Sequence, residues 1–454
     1  MSRRLRPVAL AVTLMLSLAF VSSCESRPRP IIATPFAEEG PRLVEVVQTD
    51  GRYHLTVDGE PFFINGAGLE FGDVEALAAH GANSFRTWRT DNGRDSGSEV
   101  LDRAYEHGLM VTMGLEVARE RPGQGRGVFG FDYDDEEAVA AQLGRIRAEV
   151  MKYKDHPALL MWGIGNELNL DAENPKVWDA VGGIAEMIKE VDPNHPTTTM
   201  LAGVSKDLVD AINERAPALD VISMQFYGAI NELPRYLEES GLTGPYIVTE
   251  WGATGHWEVA KTEWGAPIEN TSSVKADLYR SRYETAIASD ATQLLGSYVF
   301  LWGQKQERTP TWYGMFLPTG EETESVDVME YLWTGAWPEN RTPRLESMTL
   351  DGQTAFDNVR LNAGQTVTAV VEAMDFNGDA LSYAWRVREE SQTEASGGDD
   401  EEVPEEIEGL VSPADAAEVT VTAPTEPGAY RVFVYVYDGN GHAAHANIPF
   451  YVNE

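Results

Sequence analysis

Eight short apolar runs, each followed by a segment of helical character, constrain the fold of this chain more than any other feature. They are rich in Val, Ile, Leu and Met with little alternation, which is typical of parallel strands covered on both faces. In chain order the runs are FFINGAG, NSFRTW, LMVTMGLEV, LLMWGIGNE, TTTMLAG, VISMQFYG, YIVTEWG and LGSYVFLWG. Eight strand–helix units over roughly 290 residues predict an α/β fold, a closed (β/α)8 TIM barrel. An open, doubly wound sheet is the alternative, but no GxGxxG follows the first run.

The segments between these runs have the period and length of covering helices. A 3.6-residue period marks EEAVAAQLGRIRAEVMKY, VWDAVGGIAEMIKEV and SVKADLYRSRYETAIA, and a last helix would include VMEYLWTG. Ahead of the first run, two alternating stretches meet at Asp50-Gly51, and a further turn follows at Asp58-Gly59. This pattern predicts a hairpin that leads into the barrel, and we assign residues 43–337 to the barrel domain.

The first 42 residues have the character of a targeting segment and a tether. Three arginines precede an apolar run that is too short for a stable membrane span, which predicts a signal peptide over residues 1–23. The run ends in Val-Ser-Ser before Cys24, the chain's only cysteine, and this resembles a bacterial lipobox. We expect Cys24 to be lipidated and the Pro-rich residues 24–42 to act as a tether. The protein would then lie at the bacterial envelope, at the outer membrane in a Gram-negative cell; an ordinary signal peptide and secretion are the alternative.

The last 110 or so residues change in character and predict a second, all-β domain. Residues 338–344 (PENRTPR) form a linker, and residues 345–454 contain alternating strands with turn signals, as in an immunoglobulin-like sandwich. The runs AMDFNGDALSYAW and GAYRVFVYVYDGNG resemble PKD-type domains. Asp375, Asn377 and Asp379 have the spacing of a calcium loop, but no bidentate Glu follows, so a plain turn is preferred. We predict no metal site and no cofactor.

Polar and aromatic residues follow the predicted strands where the βα loops of a barrel gather. Two glutamates among them, Glu167 and Glu250, end the fourth and the seventh strand and lie nearly across the barrel mouth from each other. Retaining glycoside hydrolysis needs two carboxyl groups about 5 Å apart, one to protonate the leaving oxygen and one to attack the sugar. The other residues at strand ends are Arg86, Trp88, Glu116, Asn166, Gln225, Tyr227, Trp302 and Gln304.

The runs HPALLMWGIGNEL and YIVTEWG resemble the fourth and seventh strands of clan A glycoside hydrolases. The resemblance covers about residues 45 to 335 and implies that Glu167 is the acid/base and Glu250 the nucleophile. It further implies that Asn166 binds the sugar 2-hydroxyl, that Arg86 and Tyr227 lie beside the nucleophile, and that Trp302 forms the floor of the sugar pocket. We also assign to substrate binding a wider set of residues, of which the three tryptophans could equally belong to the core: Trp88, Glu116, Gln225, Trp257, Gln304 and Trp312.

The family within the clan is predicted from domain order. The β-galactosidase and β-glucuronidase family places sandwich domains before its barrel, and its arginine motif continues differently from Arg86-Thr87-Trp88. A barrel followed directly by an immunoglobulin-like domain resembles glycoside hydrolase family 158, which implies an endo-β-1,3-glucanase. The formal net charge of −38 favours a neutral polysaccharide or oligosaccharide as partner and argues against nucleic acid. A transglycosylase, an exo-acting family-2-like β-glycosidase and a non-catalytic glycan-binding lipoprotein are the alternatives. The sequence does not indicate the oligomeric state.

Overall fold

A computed structural model describes residues 40–120, 130–170, 172–393 and 401–453. The predicted signal peptide, Cys24 and the tether up to residue 39 lie outside the described residues. Within the described ranges, a three-stranded sheet precedes a closed eight-stranded barrel, and two four-stranded sheets follow it. No helix in this part of the chain is long and apolar enough to cross a membrane.

The first three strands form a small antiparallel sheet in the order β1-β2-β3. Their bounds are β1 (Val44–Thr49), β2 (Arg52–Val57) and β3 (Glu60–Phe62). The predicted hairpin is therefore present, and the turn after it adds a third short strand. Asp50 and Asp58 adopt positive φ angles at the two turns, a conformation that Asp tolerates better than most residues.

The barrel is confirmed: its eight parallel strands close in the order β10-β11-β4-β5-β6-β7-β8-β9. The strands are β4 (Ile64–Gly68), β5 (Ser84–Arg86), β6 (Met110–Leu115), β7 (Leu159–Asn166), β8 (Thr197–Ala202), β9 (Val221–Gln225), β10 (Tyr246–Gly252) and β11 (Leu294–Phe300). One helix follows each strand: α1 (Val74–Ala79), α2 (Gly97–Glu106), α3 (Glu136–Tyr153), α4 (Lys176–Val191), α5 (Lys206–Arg215), α6 (Leu233–Ser240), α7 (Ser272–Arg282) and α8 (Glu324–Thr334).

Local capping signals explain where several of these helices begin. Side chains at the N-caps accept hydrogen bonds from backbone N–H groups of the first turn, as Asp73 does for α1 and Asp135 for α3. Ser96 and Glu99 form a reciprocal capping box at the start of α2. Each such cap stabilises a helix by about 1 kcal/mol. The caps therefore fix the points at which the βα loops end.

The apolar core determines which end of the barrel is open. One large cluster fills the space between the strands and the helices. A separate cluster joins the N-terminal sheet to the beginnings of barrel strands, with Val44 and Leu55 packing with Met110, Val221 and Ile247. Because this sheet closes the N-terminal end of the barrel, the C-terminal ends of the strands form the accessible mouth.

The C-terminal part is all-β, as predicted, with sheet orders β12-β14-β17-β16 and β13-β19-β18-β15. The strands are β12 (Arg344–Leu350), β13 (Arg360–Asn362), β14 (Thr366–Met374), β15 (Ser382–Glu389), β16 (Val411–Ser412), β17 (Glu418–Thr422), β18 (Gly428–Tyr437) and β19 (Ala443–Asn453). One apolar cluster lies between the two sheets. The linker is fixed to the barrel, because Asp327 of α8 accepts hydrogen bonds from Arg341 and Thr342.

The DFNGD segment forms a hydrogen-bonded turn. The Asp375 carboxylate accepts from the backbone N–H groups of Asn377 and Asp379 at 2.8 and 2.9 Å. Oxygen atoms of Asp375, Asp379 and Asp438 lie within 4.8 Å of one another. Asn440 donates to Asp379, and His442 bonds to Asp438. These local bonds account for the turn that the spacing of acidic residues predicted.

Candidate active site

Two carboxylates lie at the mouth of the barrel, at the C-terminal ends of β7 and β10, which are separated by β8 and β9. Glu250 belongs to β10, and Glu167 follows directly after β7. Glu167 has a φ of 52°, in the left-handed region that a residue with a Cβ rarely adopts, and its N–H donates to Met200 O at 2.8 Å. Backbone strain of this kind is typical of functional positions. Glu167 therefore lines the barrel mouth from a backbone conformation that few residues with a Cβ adopt.

Three donors converge on the Glu250 carboxylate, which is 5% exposed. Arg86 Nη1 and Trp88 Nε1 both donate to its Oε1, at 3.2 and 3.0 Å. The Tyr227 hydroxyl donates to its Oε2 at 2.7 Å. Burial lowers the pKa of Arg86, while the charges of Glu250 and Glu167 act to raise it. Burial and the same two glutamates raise the pKa of Tyr227, which keeps its hydroxyl protonated as a donor.

Asn166 is oriented by two hydrogen bonds to one atom. Its Oδ1 accepts from Arg86 Nη2 at 2.8 Å and from Gln225 Nε2 at 2.7 Å. Because both donors occupy the carbonyl side of the amide, the Nδ2 group is the side left to bind a ligand hydroxyl. The structure thus places Asn166 in contact with Arg86, which also binds Glu250.

Trp88 has a contact that the sequence did not indicate. We expected it either to stack on a sugar or to belong to the core, but its indole N–H binds Glu250, and the Arg86 guanidinium lies 4.7 Å from its ring centre. A glycine on the next strand permits this position, since a Cβ at Gly114 would lie 2.6 Å from Thr87 O. Trp88 therefore orients the predicted nucleophile.

A cavity of about 1180 Å³ opens over these residues, and most of the predicted substrate-binding residues line it. Its wall includes Glu167 and Glu250. It also includes eight of the predicted substrate-binding residues, namely Trp88, Glu116, Asn166, Gln225, Tyr227, Trp257, Trp302 and Gln304. Arg86 lies beneath the cavity and is fully buried. Trp257, which is 52% exposed, presents an open aromatic face at the rim. Trp302 is buried, and its indole N–H donates to Asp73 O, so it forms part of the cavity wall.

Trp312 is not among the residues that line the cavity, and its predicted contact with sugar is wrong. It is 1% exposed and donates its indole N–H to Thr254 O at 2.9 Å. His256 packs edge-on against it at 6.1 Å between ring centres. Trp312 therefore belongs to the core, the alternative that sequence left open, and it supports the loop that follows β10.

We did not predict from the sequence a cluster of charged residues that lies on the loops after β10 and β11. Glu307 is buried between Lys305 Nζ at 2.6 Å and His256 Nε2 at 3.3 Å, and all three residues line the cavity. Burial acts to raise the pKa of Glu307. The hydrogen bond with His256 and the charge of Lys305 together outweigh burial, so the pKa lies below its ordinary value. The signal was the run QKQER directly after the eighth strand, which we did not connect with His256.

The C-terminal sandwich contacts the same loops through a second buried network. Glu269 accepts hydrogen bonds from Lys275 Nζ at 2.5 Å, from Thr309 and Asn447 at 2.6 Å, and from Thr311 at 2.9 Å. Asn447 lies on β19 of the sandwich, whereas the two threonines lie on the loop after β11. The sandwich therefore helps to hold the loop that carries Lys305 and Glu307.

Comparison with known proteins finds similarity to glycoside hydrolases. Residues 69–259 match the family described as "Glycosyl hydrolases family 2, TIM barrel domain". A β-glucuronidase of Bacteroides fragilis is 24% identical over 193 residues, which are 39% of this chain and 28% of that protein. The chain thus spans less than a third of that relative.

Two solved structures share the fold. A Bifidobacterium dentium β-glucuronidase, complexed with coumarin-3-O-glucuronide, has 18% identity and a TM-score of 0.50, over 65% of this chain and 49% of that one. An FMN-binding β-glucuronidase from Facaelibacterium prausnitzii has 15% identity and a TM-score of 0.50, over 91% of this chain and 59% of that one. At these identities the likeness shows the fold alone. Together with the family 2 match over residues 69–259, the barrel is similar to those of clan A glycoside hydrolases, whereas the resemblance to family 158 gains no support.

Proposed function

We propose that this chain is a retaining β-glycosidase that acts by double displacement, with Glu250 as nucleophile and Glu167 as acid/base. The observation that carries the proposal is the set of three donors on Glu250, from Arg86, Trp88 and Tyr227. These donors hold both oxygens of the Glu250 carboxylate in place, which orients the group for attack. Retaining hydrolysis needs two carboxyl groups, an acid and a nucleophile, and the barrel mouth has one at the end of β7 and one on β10.

The reaction proceeds in two steps. A Glu250 oxygen attacks the anomeric carbon as the glycosidic bond breaks, and Glu167 gives its proton to the departing oxygen. Water then attacks the glycosyl–enzyme ester, Glu167 takes a proton from that water, and Glu250 is released as a carboxylate. The Asn166 Nδ2 group, oriented by Arg86 and Gln225, donates to the sugar 2-hydroxyl in both steps.

Within this class we propose an exo-acting, family-2-like β-glycosidase in place of the endo-β-1,3-glucanase that domain order suggested. The family 2 match over residues 69–259 and the β-glucuronidase relative favour it. A transglycosylase would use the same carboxylates and differ only in its acceptor. A non-catalytic glycan-binding protein is less favoured, because both glutamates are retained at strand ends.

The stereochemistry of the product tests the mechanism. Proton NMR during hydrolysis of aryl β-glycosides should show the β anomer first, before mutarotation. Early formation of the α anomer would contradict double displacement and indicate carboxyl groups far enough apart to admit a water molecule. In addition, Glu250→Ala should lose turnover and, with azide, form an α-glycosyl azide, whereas Glu167→Ala should not.

We also propose that Cys24, which lies outside the described residues, anchors the protein to the bacterial envelope through lipid. A single acyl chain binds weakly, whereas a diacylated and N-acylated cysteine anchors stably. Cys24→Ser should move the protein from the detergent-extracted membrane fraction to the soluble one. A wild-type protein that is already soluble, with a mature N-terminus after residue 24, would contradict the anchor and leave the proposed catalysis unaffected.

A further inference from the structure

Glu258 joins two loops of the barrel mouth through its carboxylate. Its Oε2 accepts from the backbone N–H groups of Gly228 and Gly255, at 2.7 and 2.9 Å. Its Oε1 accepts from the backbone N–H of Ala229 at 2.9 Å. Gly228 and Ala229 lie on the loop after β9, whereas Gly255 lies with Glu258 on the loop after β10. Although Glu258 is an exposed residue of the cavity wall, both of its oxygens are therefore bound by the main chain.

Two glycines allow the carboxylate to approach the main chain this closely. A Cβ at Gly228 would lie 2.8 Å from Glu258 Oε2, and a Cβ at Gly255 would lie 2.9 Å from the same atom. Both distances are shorter than a contact between a carbon and an oxygen atom allows, so a side chain at either position would displace Glu258. The contact therefore depends on a glycine in each of the two loops.

The loop that carries Glu258 is anchored to the barrel, so it can serve as a support. Arg282 of α7 is buried and donates to Gly252 O at 2.5 Å and to Thr254 Oγ1 at 2.7 Å. The Glu258 N–H donates to Gly255 O at 2.9 Å, which closes a turn within the loop. Burial lowers the pKa of Arg282, while the charge of Glu258 acts to raise it. The support thus runs from α7 through the loop to the Glu258 carboxylate.

The two N–H groups that Glu258 binds after β9 belong to the residues directly after Tyr227. These residues begin a short 3₁₀ helix (Gly228–Glu232), for which Tyr227 is the N-cap residue without a side-chain cap bond. N–H groups in the first turn of a helix have no acceptor within that helix. Glu258 supplies the acceptor from another loop, and it thereby holds the main chain one peptide bond away from Tyr227.

The position of this main chain matters because the Tyr227 side chain has a demanding contact. Its hydroxyl donates to Glu250 Oε2 at 2.7 Å. Trp257, Phe300 and Tyr313 contact its ring edge-on, at 5.5, 5.9 and 5.6 Å between centres. These apolar contacts restrict the ring but do not direct the hydroxyl. A displacement of the main chain by about 0.5 Å would take the hydrogen bond out of its normal range.

We propose that Glu258 is a positioning residue, which holds the main chain after Tyr227 so that the Tyr227 hydroxyl stays on Glu250. The inference rests on the proposed glycosidase function, in which Glu250 is the nucleophile. Glu258 acts through Tyr227 and exchanges no proton with the substrate, because its oxygens are occupied by main-chain donors.

The test combines Glu258→Ala with Tyr227→Phe. Activity is measured on the p-nitrophenyl β-glycoside that the wild type hydrolyses fastest among the glucoside, galactoside, mannoside, xyloside and glucuronide. In the wild-type background, Glu258→Ala should lower kcat about tenfold and change KM less than about twofold. In the Tyr227→Phe background it should lower kcat less than about twofold, because the hydroxyl through which Glu258 acts is already absent.

Glu263→Ala is the matched control, further along the same loop. Glu263 is exposed and pairs with Arg360 of the sandwich at 3.2 Å, and it is not among the residues that line the cavity. Its replacement should leave kcat within about twofold of the wild type. Equal losses from Glu258→Ala in the two backgrounds would overturn the inference, as would an unchanged kcat in Glu258→Ala alone.

If Glu258→Ala does not fold, Glu258→Gln decides the question. The amide keeps one oxygen as an acceptor and loses the other, so kcat should fall about three- to tenfold, and only where Tyr227 is intact. A loss of the same size in the Tyr227→Phe background would overturn the inference.

NMR of protein labelled with ¹³C at tyrosine Cζ separates this inference from the proposed function. The Tyr227 Cζ resonance, identified by its absence in Tyr227→Phe, reports the hydrogen bond of the hydroxyl. It should shift in Glu258→Ala and stay in place in Glu263→Ala. If the wild type hydrolysed no glycoside, the glycosidase proposal would fail, and this shift would still decide whether Glu258 positions Tyr227. An unchanged resonance in Glu258→Ala would overturn the inference.

Discussion

Trp88 donates its indole N–H to Glu250 Oε1 at 3.0 Å, on the same oxygen that Arg86 binds. The other oxygen accepts only the Tyr227 hydroxyl among the hydrogen bonds described for Glu250. Two donors from β5 and the loop after it thus fix one side of the carboxylate. Glu250 Oε2, the oxygen that Tyr227 binds, consequently keeps a free lone pair for attack on the anomeric carbon. The Tyr227 hydroxyl can stay hydrogen-bonded to this oxygen as the ester forms.

Replacing Trp88 by Phe should test this orientation. Phe keeps most of the ring packing against Phe300 but cannot donate, so the loss reports the hydrogen bond. We expect kcat on an activated aryl glycoside to fall about tenfold or more, with little change in KM, since a hydrogen bond to a charged group contributes about 1.5–3 kcal/mol. A change confined to KM would indicate that Trp88 binds sugar instead.

Tyr227→Phe removes the donor from the other oxygen of Glu250. The phenyl ring would keep its edge contacts with Trp257 and Tyr313, so the fold should be preserved. We expect a tenfold to hundredfold decrease in kcat. Tyr236, a tyrosine on α6 that stacks on Phe226, supplies the matched control. Tyr236→Phe should leave kcat within twofold, and equal losses in the two variants would contradict a specific role for Tyr227.

Glu167→Ala should show the behaviour of a missing general acid. A leaving group of low pKa departs without protonation, so 2,4-dinitrophenyl glycosides should retain much of their rate of bond cleavage. Phenyl or alkyl glycosides should lose on the order of 10²- to 10⁴-fold. Pre-steady-state kinetics would separate this first step from ester hydrolysis, which also needs the residue. Equal losses on good and poor leaving groups would rule out Glu167 as the acid.

The sequence predicted the barrel and the two carboxylates because both depend on local patterns. The run YIVTEWG coincides with β10, and EEAVAAQLGRIRAEVMKY coincides with α3. Other runs extended past their strands: β9 ends at Gln225, and Tyr227 lies in the turn that begins the next segment. Apolar character alone does not mark the point where a strand leaves the barrel.

The contacts that the sequence could not indicate join residues far apart in the chain. Trp88 and Glu250 are in contact although they are 162 positions apart in the sequence. His256 and Glu307 are in contact although they lie on two different loops. Whether an indole stacks on sugar or donates to a carboxylate depends on the close approach of two strands at Gly114.

The Glu269 network predicts that the sandwich and the barrel stabilise each other. Glu269→Gln would leave the Lys275 ammonium buried without a counter-charge, and burial already lowers the pKa of Lys275. Loss of one partner of a buried ion pair costs about 3–5 kcal/mol, so calorimetry should show a clear decrease in Tm. Asp210→Asn, which removes an exposed ion pair with Lys206 on α5, should change stability by less than about 1 kcal/mol. Similar effects of the two variants would contradict an energetic role for the network.

His80 should give the fold a pH dependence of definite sign. Its Nδ1 lies 2.6 Å from Glu330 of α8 and its Nε2 lies 3.2 Å from Glu322, while His442 lies 3.9 Å from the other oxygen of Glu322. Burial alone would lower the pKa of His80, but the two carboxylates outweigh it and raise the pKa from 6.5 to about 9. Between these values the folded state binds a proton that the unfolded state releases. The stabilisation is therefore complete below pH 6.5 and is lost as pH rises through about 9.

The size of this effect is on the order of 3–4 kcal/mol, because the pKa rises from 6.5 to about 9 and each pKa unit corresponds to about 1.4 kcal/mol. Urea denaturation of the wild type at pH 6, 7.5 and 9.5 should show its free energy of unfolding falling across the series. In His80→Gln, which retains a polar side chain without the titration, the decrease should be smaller by that amount. A slope in His80→Gln as steep as that of the wild type would show that other groups carry the pH dependence.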